Sequence, residues 1–283
     1  MTAIVPPRGR LVAVIPLHDL NPTRRFAWVT VALIAANVAV FLLWQPTFRG
    51  EEAQQEFFFC HAEIPWEVSH RTNLASGGAA ARSAVAAQYQ VSEDEAAGLQ
   101  EFLGQQCPGK SWLLSVFVAM FLHGGWLHIA GNMLFLWVFG NNVEDRLGRL
   151  LFIAFYLLGG VAASALQLAF DPSSAVPSLG ASGAVAAVLG AYLVMFPRAR
   201  VVTLVIFFFI TAIELPAVLV LGAWFVLQLF SGVGGLGAQA GGGVAYWAHV
   251  GGFVFGLAVT ALFFRGRGQR PPFQGLPRRP DYL

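Results

Sequence analysis

The sequence is poor in charge. Only 11% of its 283 residues are Asp, Glu, Lys or Arg, against 57% hydrophobic residues. Together with a mean hydropathy of +0.64, that shortage excludes a soluble globular domain and a disordered chain, and identifies a membrane protein. Cysteine is almost absent: Cys60 and Cys107 are too few for a disulfide framework and lack the C-x-x-C spacing of a zinc site. No structural metal site is expected. A net charge of +2 is too small to point to nucleic acid. No internal repeat and no charge at the middle of an apolar run are evident, which disfavours a transporter. No cleavable signal peptide is expected either, because the first apolar run begins at Phe26, after Arg24-Arg25, and is long enough to span a bilayer.

What is abundant is apolar sequence in runs. A membrane helix needs about 20 apolar residues, and six runs qualify or nearly do: 26–44, 125–141, 149–169, 182–197, 215–232 and 245–264. The stretch 201–232 is too long for one helix. Glu214-Leu215-Pro216 divides it, since Pro suits the first turn of a helix and Glu its N-terminus, so 201–213 is expected to be an interfacial loop or hairpin. Arg and Lys fall almost entirely in alternate connections: thirteen of the seventeen lie in the terminal segments or beside Arg146-Arg149 and Arg198-Arg200. By the positive-inside rule both termini are cytoplasmic, in a multi-pass protein expected in the plasma membrane.

The expected organisation is an all-α polytopic bundle. It comprises a cytoplasmic segment 1–25, a six-helix domain 26–264 containing a long external first loop, 45–124, and a basic, disordered tail, 265–283. Within the loop, the Ala/Gly/Ser-rich stretch 75–90 reads as flexible, and the apolar stretch 111–121 as lying in the membrane interface. Cys60 and Cys107 share this loop, where an oxidising exterior would let them pair. Sequence alone does not show that they meet.

Polar side chains inside a membrane need a reason. Ser182 opens the fourth run, His249 lies about one turn into the sixth, and His128 and Asn132 stand at i and i+4 on the second. All three helices enter from the same side, so the four groups converge at one depth. Serine is a poor nucleophile without a base, and histidine is the usual one. No Asp or Glu occupies that half of any run, so the expectation is a dyad: Ser182 as nucleophile and His249 as base, then acid to the leaving amine. His128 and Asn132 can donate to an oxyanion, joined by the Ser182 backbone N–H at its helix N-terminus. Gly180 and Gly183 let a substrate carbonyl approach that backbone. Gly183, Ala187 and Gly190 make one side of the fourth helix small, and Gly252-Phe253-Val254-Phe255-Gly256 is a G-x-x-x-G in the sixth, so the two can pack closely.

At these residues the chain resembles the rhomboid family of intramembrane serine proteases. His123-Gly124-Gly125-Trp126-Leu127-His128-Ile129-Ala130-Gly131-Asn132 is similar to the family's H-x-x-x-x-H-x-x-x-N helix, Gly180-Ala181-Ser182-Gly183 to its G-x-S-G turn, and Ala248-His249-Val250-Gly251-Gly252 to its A-H-x-x-G helix. Glu144-Asp145-Arg146-Leu147-Gly148 resembles its structural E-x-R-x-G segment. The resemblance implies cleavage of single-span membrane proteins in or beside the bilayer, with lipid and such substrates as partners and with no metal or cofactor. It implies Ser182 and His249 as the dyad, and His128 and Asn132 at the oxyanion site. The chain departs from the pattern at Ala186, where many members carry an aromatic residue that packs on the base, and it lacks the first-loop Trp-Arg pair.

Each residue also has a plainer reading. Ser182 could be a helix N-cap, His249 a histidine bonded to a neighbouring carbonyl, and His128 and Asn132 interhelical hydrogen-bonding groups. His123 is expected to order the loop, Glu144 and Arg146 to form a cytoplasmic structural pair, and Asn37 and Gln228 to be interhelical glue. The alternative function is a proteolytically inactive relative that binds membrane clients; such proteins lose the serine or the histidine, and both are present here.

Overall fold

The computed structural model describes residues 13–206, 210–234 and 245–264. In chain order they form β1 (Ala13–Asp19), α1 (Trp28–Ala39, continued by a π-helical turn over Val40–Trp44), α2 (Glu51–His61), α3 (Pro65–His70), α4 (Gly78–Tyr89), α5 (Glu93–Gln106), α6 (Trp112–Ala119), α7 (Trp126–Leu147), α8 (Arg149–Phe170), α9 (Ser182–Met195), β2 (Arg200–Ile206), β3 (Ile210–Pro216), α10 (Ala217–Gly234) and α11 (Tyr246–Phe263). The six apolar runs thus become α1, α7, α8, α9, α10 and α11. Two of these, α8 and α11, are long and apolar enough to cross a membrane, while α1, α9 and α10 are shorter apolar helices.

The expected break before α10 takes the form of a hairpin. β2 and β3 pair antiparallel from Arg200↔Pro216 to Ile206↔Ile210, and the helix starts immediately after Pro216, which suits a terminus. The all-α expectation is corrected here, because β1 adds a third strand, antiparallel to β2 from Ala13↔Ile206 to Asp19↔Val201. That strand is fastened to the bundle through Asp19, whose carboxylate accepts from Tyr192 Oη on α9 and from Asn142 Nδ2 on α7, both at 2.7 Å. Burial pushes the Asp19 carboxyl up to about 6, against the lowering effect of the Tyr192 bond. Glu144, expected to pair with Arg146, caps another helix: its carboxylate accepts from the backbone N–H groups of Val29 and Thr30 at 3.0 and 2.7 Å, at the start of α1. Asn37 donates to Leu33 one turn back in its own helix and lies against Tyr156.

At the centre stands α9, buried continuously from Gly183 to Tyr192. It meets α11 backbone to backbone. A Cβ on Gly252 would run into the carbonyl of Gly183, one on Gly256 into that of Ala187, and one on Gly190 into that of Phe253. The small residues of both helices therefore set the distance between Ser182 and His249.

The long first loop is an ordered helical module. Ile64, Trp66, Leu74, Val85 and Leu103 from α2–α5 and their connections form its core, and a disulfide joins Cys60 to Cys107 with their Cα atoms 5.3 Å apart. Lys110 Nζ lies 2.7 Å from Glu67, both side chains buried, and also donates to the Phe59 carbonyl. The reading of 75–90 as flexible is wrong. Most of that stretch is α4, because Ala is the best helix former and Ala81 and Val85, one turn apart, are buried against the module's core. The tail 265–283, expected to be disordered, lies outside the described residues, as do residues 1–12.

Candidate active site

The turn before α9 is held at two points. Ser178 donates its N–H to the Glu63 carbonyl at 2.7 Å and Gly180 donates its own to the Ala119 carbonyl at 2.8 Å. Gly180 has φ +130°, in the region that favours glycine. A Cβ there would lie 2.9 Å from Cε1 and Nε2 of His128 and 3.4 Å from Ser182 Oγ. The missing side chain leaves room where histidine and serine approach each other.

Ser182 is the first residue of α9, after Ala181 at the N-cap. Its N–H is thus among the four with no intrahelical acceptor, and its side chain is not the cap of the plainer reading. The hydroxyl instead lies 2.8 Å from His249 Nε2 on α11, within hydrogen-bond distance. The other ring nitrogen, Nδ1, lies 2.7 Å from Gln228 Oε1 on α10. Trp224, one turn earlier on α10, has its ring centroid 5.9 Å from that of His249.

On α7, His128 accepts the Gly124 N–H at Nδ1, 3.3 Å away, and its opposite ring edge faces Gly180. Asn132, one turn further along α7, is buried, and its Nδ2 has no hydrogen-bond partner among the described residues. His123 is fully buried, and the Gln45 side chain bonds both its N–H and its carbonyl at 2.9 and 2.6 Å. Burial, with His128 beside it, pushes the His123 imidazole down to about 3, so the ring is neutral, and the bonds that hold the segment before α7 are those of the His123 backbone to Gln45.

Gly180, Ser182, His128 and His249 therefore meet, with Asn132 on the adjoining turn. A hydroxyl bonded to an imidazole, beside free donors and a helix N-terminus, is equipped for nucleophilic acyl transfer. Gln228 was legible only as a bridging amide. It does bridge α10 and α11, but its partner is the imidazole, and the available signal was a lone amide amid apolar residues.

A family profile described as the rhomboid domain matches residues 110–266. The chain is 30% identical over 165 residues to "Rhomboid protein 1, mitochondrial" of Saccharomyces cerevisiae, covering 56% of this chain and 44% of that protein. It is 36% identical over 93 residues to "Presenilin-associated rhomboid-like protein A, mitochondrial" of Danio rerio, covering 32% and 24%. With "Rhomboid protease GluP" of Bacillus subtilis it shares 40% identity over 85 residues, covering 30% and 16%. The chain thus spans less than half the length of each of these relatives.

The expectation of a plasma-membrane protein with cytoplasmic termini is overturned by these relatives, since those from yeast and zebrafish are mitochondrial. The physical reason is that Arg and Lys asymmetry orients a chain relative to the side from which it inserts and carries no information about which membrane receives it. The domain match covers more than half of the chain, which belongs to the rhomboid family.

Proposed function

We propose that the protein is an intramembrane serine endopeptidase acting on single-span membrane proteins. The observation that carries this reading is the 2.8 Å hydrogen-bond contact between Ser182 Oγ and His249 Nε2, on two helices that small residues hold together. His249 takes the hydroxyl proton as Ser182 attacks a peptide carbonyl. The tetrahedral oxyanion is met by Asn132 Nδ2, His128 and the Ser182 N–H. The protonated imidazole then gives its proton to the leaving amine, and water hydrolyses the acyl-enzyme by the same steps.

The topology that goes with this reading has six spans within 26–264, with the hairpin of β2 and β3 at the Arg-rich face and the module 45–124 at the opposite face. At 1.5 Å per residue the fourteen residues of α9 measure about 21 Å, against a hydrocarbon core of about 30 Å. With its C-terminal end at the Arg-rich face beside Arg198 and Arg200, Ser182 lies below the opposite surface, where water from that side and a substrate from lipid can both reach it. The tight Gly180-Ala181-Ser182-Gly183 turn favours small side chains at the cleaved bond.

The test is cleavage of a model single-span substrate by purified protein in liposomes, comparing wild type with Ser182→Ala and His249→Ala. Loss of cleavage in both variants, together with fluorophosphonate labelling of Ser182 in the wild type, is the expected result. A folded wild type that neither cleaves nor labels overturns the reading in favour of a client-binding, proteolytically inactive protein.

A further inference from the structure

We propose that Gln228 is a positioning residue for the base, the third member of a series Ser182–His249–Gln228; the inference rests on the dyad reading above. Its amide oxygen lies 2.7 Å from His249 Nδ1, while Nε2 on the other side of the ring lies 2.8 Å from Ser182 Oγ. A neutral imidazole has one donor nitrogen and one acceptor, and an amide oxygen only accepts. The Gln228 bond therefore keeps the hydrogen on Nδ1 and leaves the Nε2 lone pair facing the serine. The opposite tautomer would put an N–H toward Ser182 and leave the nucleophile without a base.

The surroundings of Gln228 assign it to this task. α10 reads AVLVLGAWFVLQLFSGVG, so the amide stands among apolar side chains, where it is unfavourable unless bonded. Trp224, at i−4, shares its face and packs on the His249 ring with centroids 5.9 Å apart. Phe225 stacks on Phe253, one turn beyond the histidine, at 4.5 Å. α10 thus supplies both a packing surface and the acceptor that fixes the ring. From α9 the base receives the Ser182 hydroxyl, and Ala186, one turn on, faces Gly252 where the two backbones meet.

The proton balance is simple. The Ser182 proton passes to Nε2 and then to the leaving amine, while Gln228 neither gains nor loses one. When the ring is doubly protonated, Nδ1–H still donates to the amide oxygen, so the bond holds through the cycle. This neutral acceptor stands where serine hydrolases with a triad carry a carboxylate.

The experiment compares wild type, Gln228→Met and Gln228→Glu as full-length protein in liposomes, measuring fluorophosphonate labelling of Ser182 and kcat and KM on a single-span substrate. Met keeps the volume and removes the acceptor; Glu keeps an oxygen facing Nδ1 whether or not it is ionised. The expected result is a fall of about ten- to a hundredfold in labelling rate and kcat for Gln228→Met, with KM within about twofold. Gln228→Glu should recover to within about threefold of wild type. A Met variant that labels at the wild-type rate, or a Glu variant as slow as the Met variant, overturns the inference. Should the Met variant fail to fold, nitrogen-15 NMR of the His249 ring in the wild type decides: hydrogen on Nδ1 is expected, and hydrogen on Nε2 overturns the inference. A wild type that does not label at Ser182 marks failure of the dyad reading instead.

Discussion

Ser178 donates its backbone N–H to the carbonyl of Glu63 at 2.7 Å, so the turn that carries Ser182 is bonded to the helical module inserted between α1 and α7. The Glu63 side chain makes a second link, accepting from the Ser164 hydroxyl on α8. Through one residue the module touches both the nucleophile turn and the bundle. Changes made in the module should therefore be felt at the site.

The first such change is removal of the disulfide. Cys60 lies three residues before Glu63 and is joined across 47 residues to Cys107, which is buried in the module's core. Closing a loop of that length constrains the unfolded module by about 4 kcal/mol on the chain-entropy account. Cys60→Ser should speed hydrogen exchange across α2–α5, with the Ser178 amide exchanging faster in step, while amides of α8 and α11 stay protected. Unchanged exchange in the module would show that its hydrophobic core and the Lys110–Glu67 pair suffice without the bridge.

The second is a pH effect. Burial pushes the Glu63 carboxyl up from 4.5 to about 7, against the lowering effects of the Ser164 hydroxyl and the Lys110 charge. A carboxyl that holds its proton more tightly folded than unfolded adds stability that is complete below its unfolded value and declines as pH rises toward its folded one. The Glu63 contribution to the melting temperature should therefore fall between about pH 4.5 and 7. Asp19, raised to about 6, acts in the same sense over the lower part of that window. His123, held neutral by burial, contributes in the opposite sense below its ordinary value of 6.5, so the effect is read as the difference between wild type and a Glu63 variant. Glu63→Gln, neutral throughout, should gain about 1–3 kcal/mol relative to wild type as pH rises across that window. A Gln variant whose melting temperature runs parallel to the wild type's across that window would remove Glu63 as the titrating group.

Gly180 gives a sharper prediction at the site itself. A methyl group there meets the His128 ring at 2.9 Å, and the φ of +130° is one that side chains rarely adopt. Gly180→Ala should reduce fluorophosphonate labelling of Ser182 by about a hundredfold or more, because small displacements of reacting groups are that damaging. Global stability should fall by only about 1–3 kcal/mol, the scale of local strain. Labelling at the wild-type rate would mean that the turn has room the structure does not show.

Much of this was legible in the sequence, for physical reasons that differ from residue to residue. Pro216, preceded by Glu214, suits the end of a strand and the start of a helix, so the hairpin and α10 could be read locally. The pairing of Ser182 with His249 followed from depth and helix direction, together with Gly252 and Gly256, which let the helices touch. The residues 75–90 were misread because small residues suggest flexibility until Ala81 and Val85 are seen to have a core to face. β1 was missed because Ala13–Asp19 is short, contains Pro16 and owes its conformation to a partner strand far along the chain. Gln228 needed the three-dimensional structure, since nothing in its own helix tells an amide that bridges helices from one that holds a base.

The same contrast between a bond already made and one held open frames the prediction for Asn132. Its Nδ2 is buried on α7 and has no partner among the described residues. A donor committed to packing would be bonded in the resting protein, and its loss would appear as stability. A donor reserved for charge that develops during the reaction gives up little when removed at rest. Asn132→Ala should accordingly change stability by less than about 1 kcal/mol, yet lower kcat by about ten- to a thousandfold with KM nearly constant. Melting temperature and steady-state kinetics on one preparation separate the two roles. Lost stability with kcat intact would make Asn132 an interhelical contact, whereas lost kcat at full stability would make it a ligand of the oxyanion.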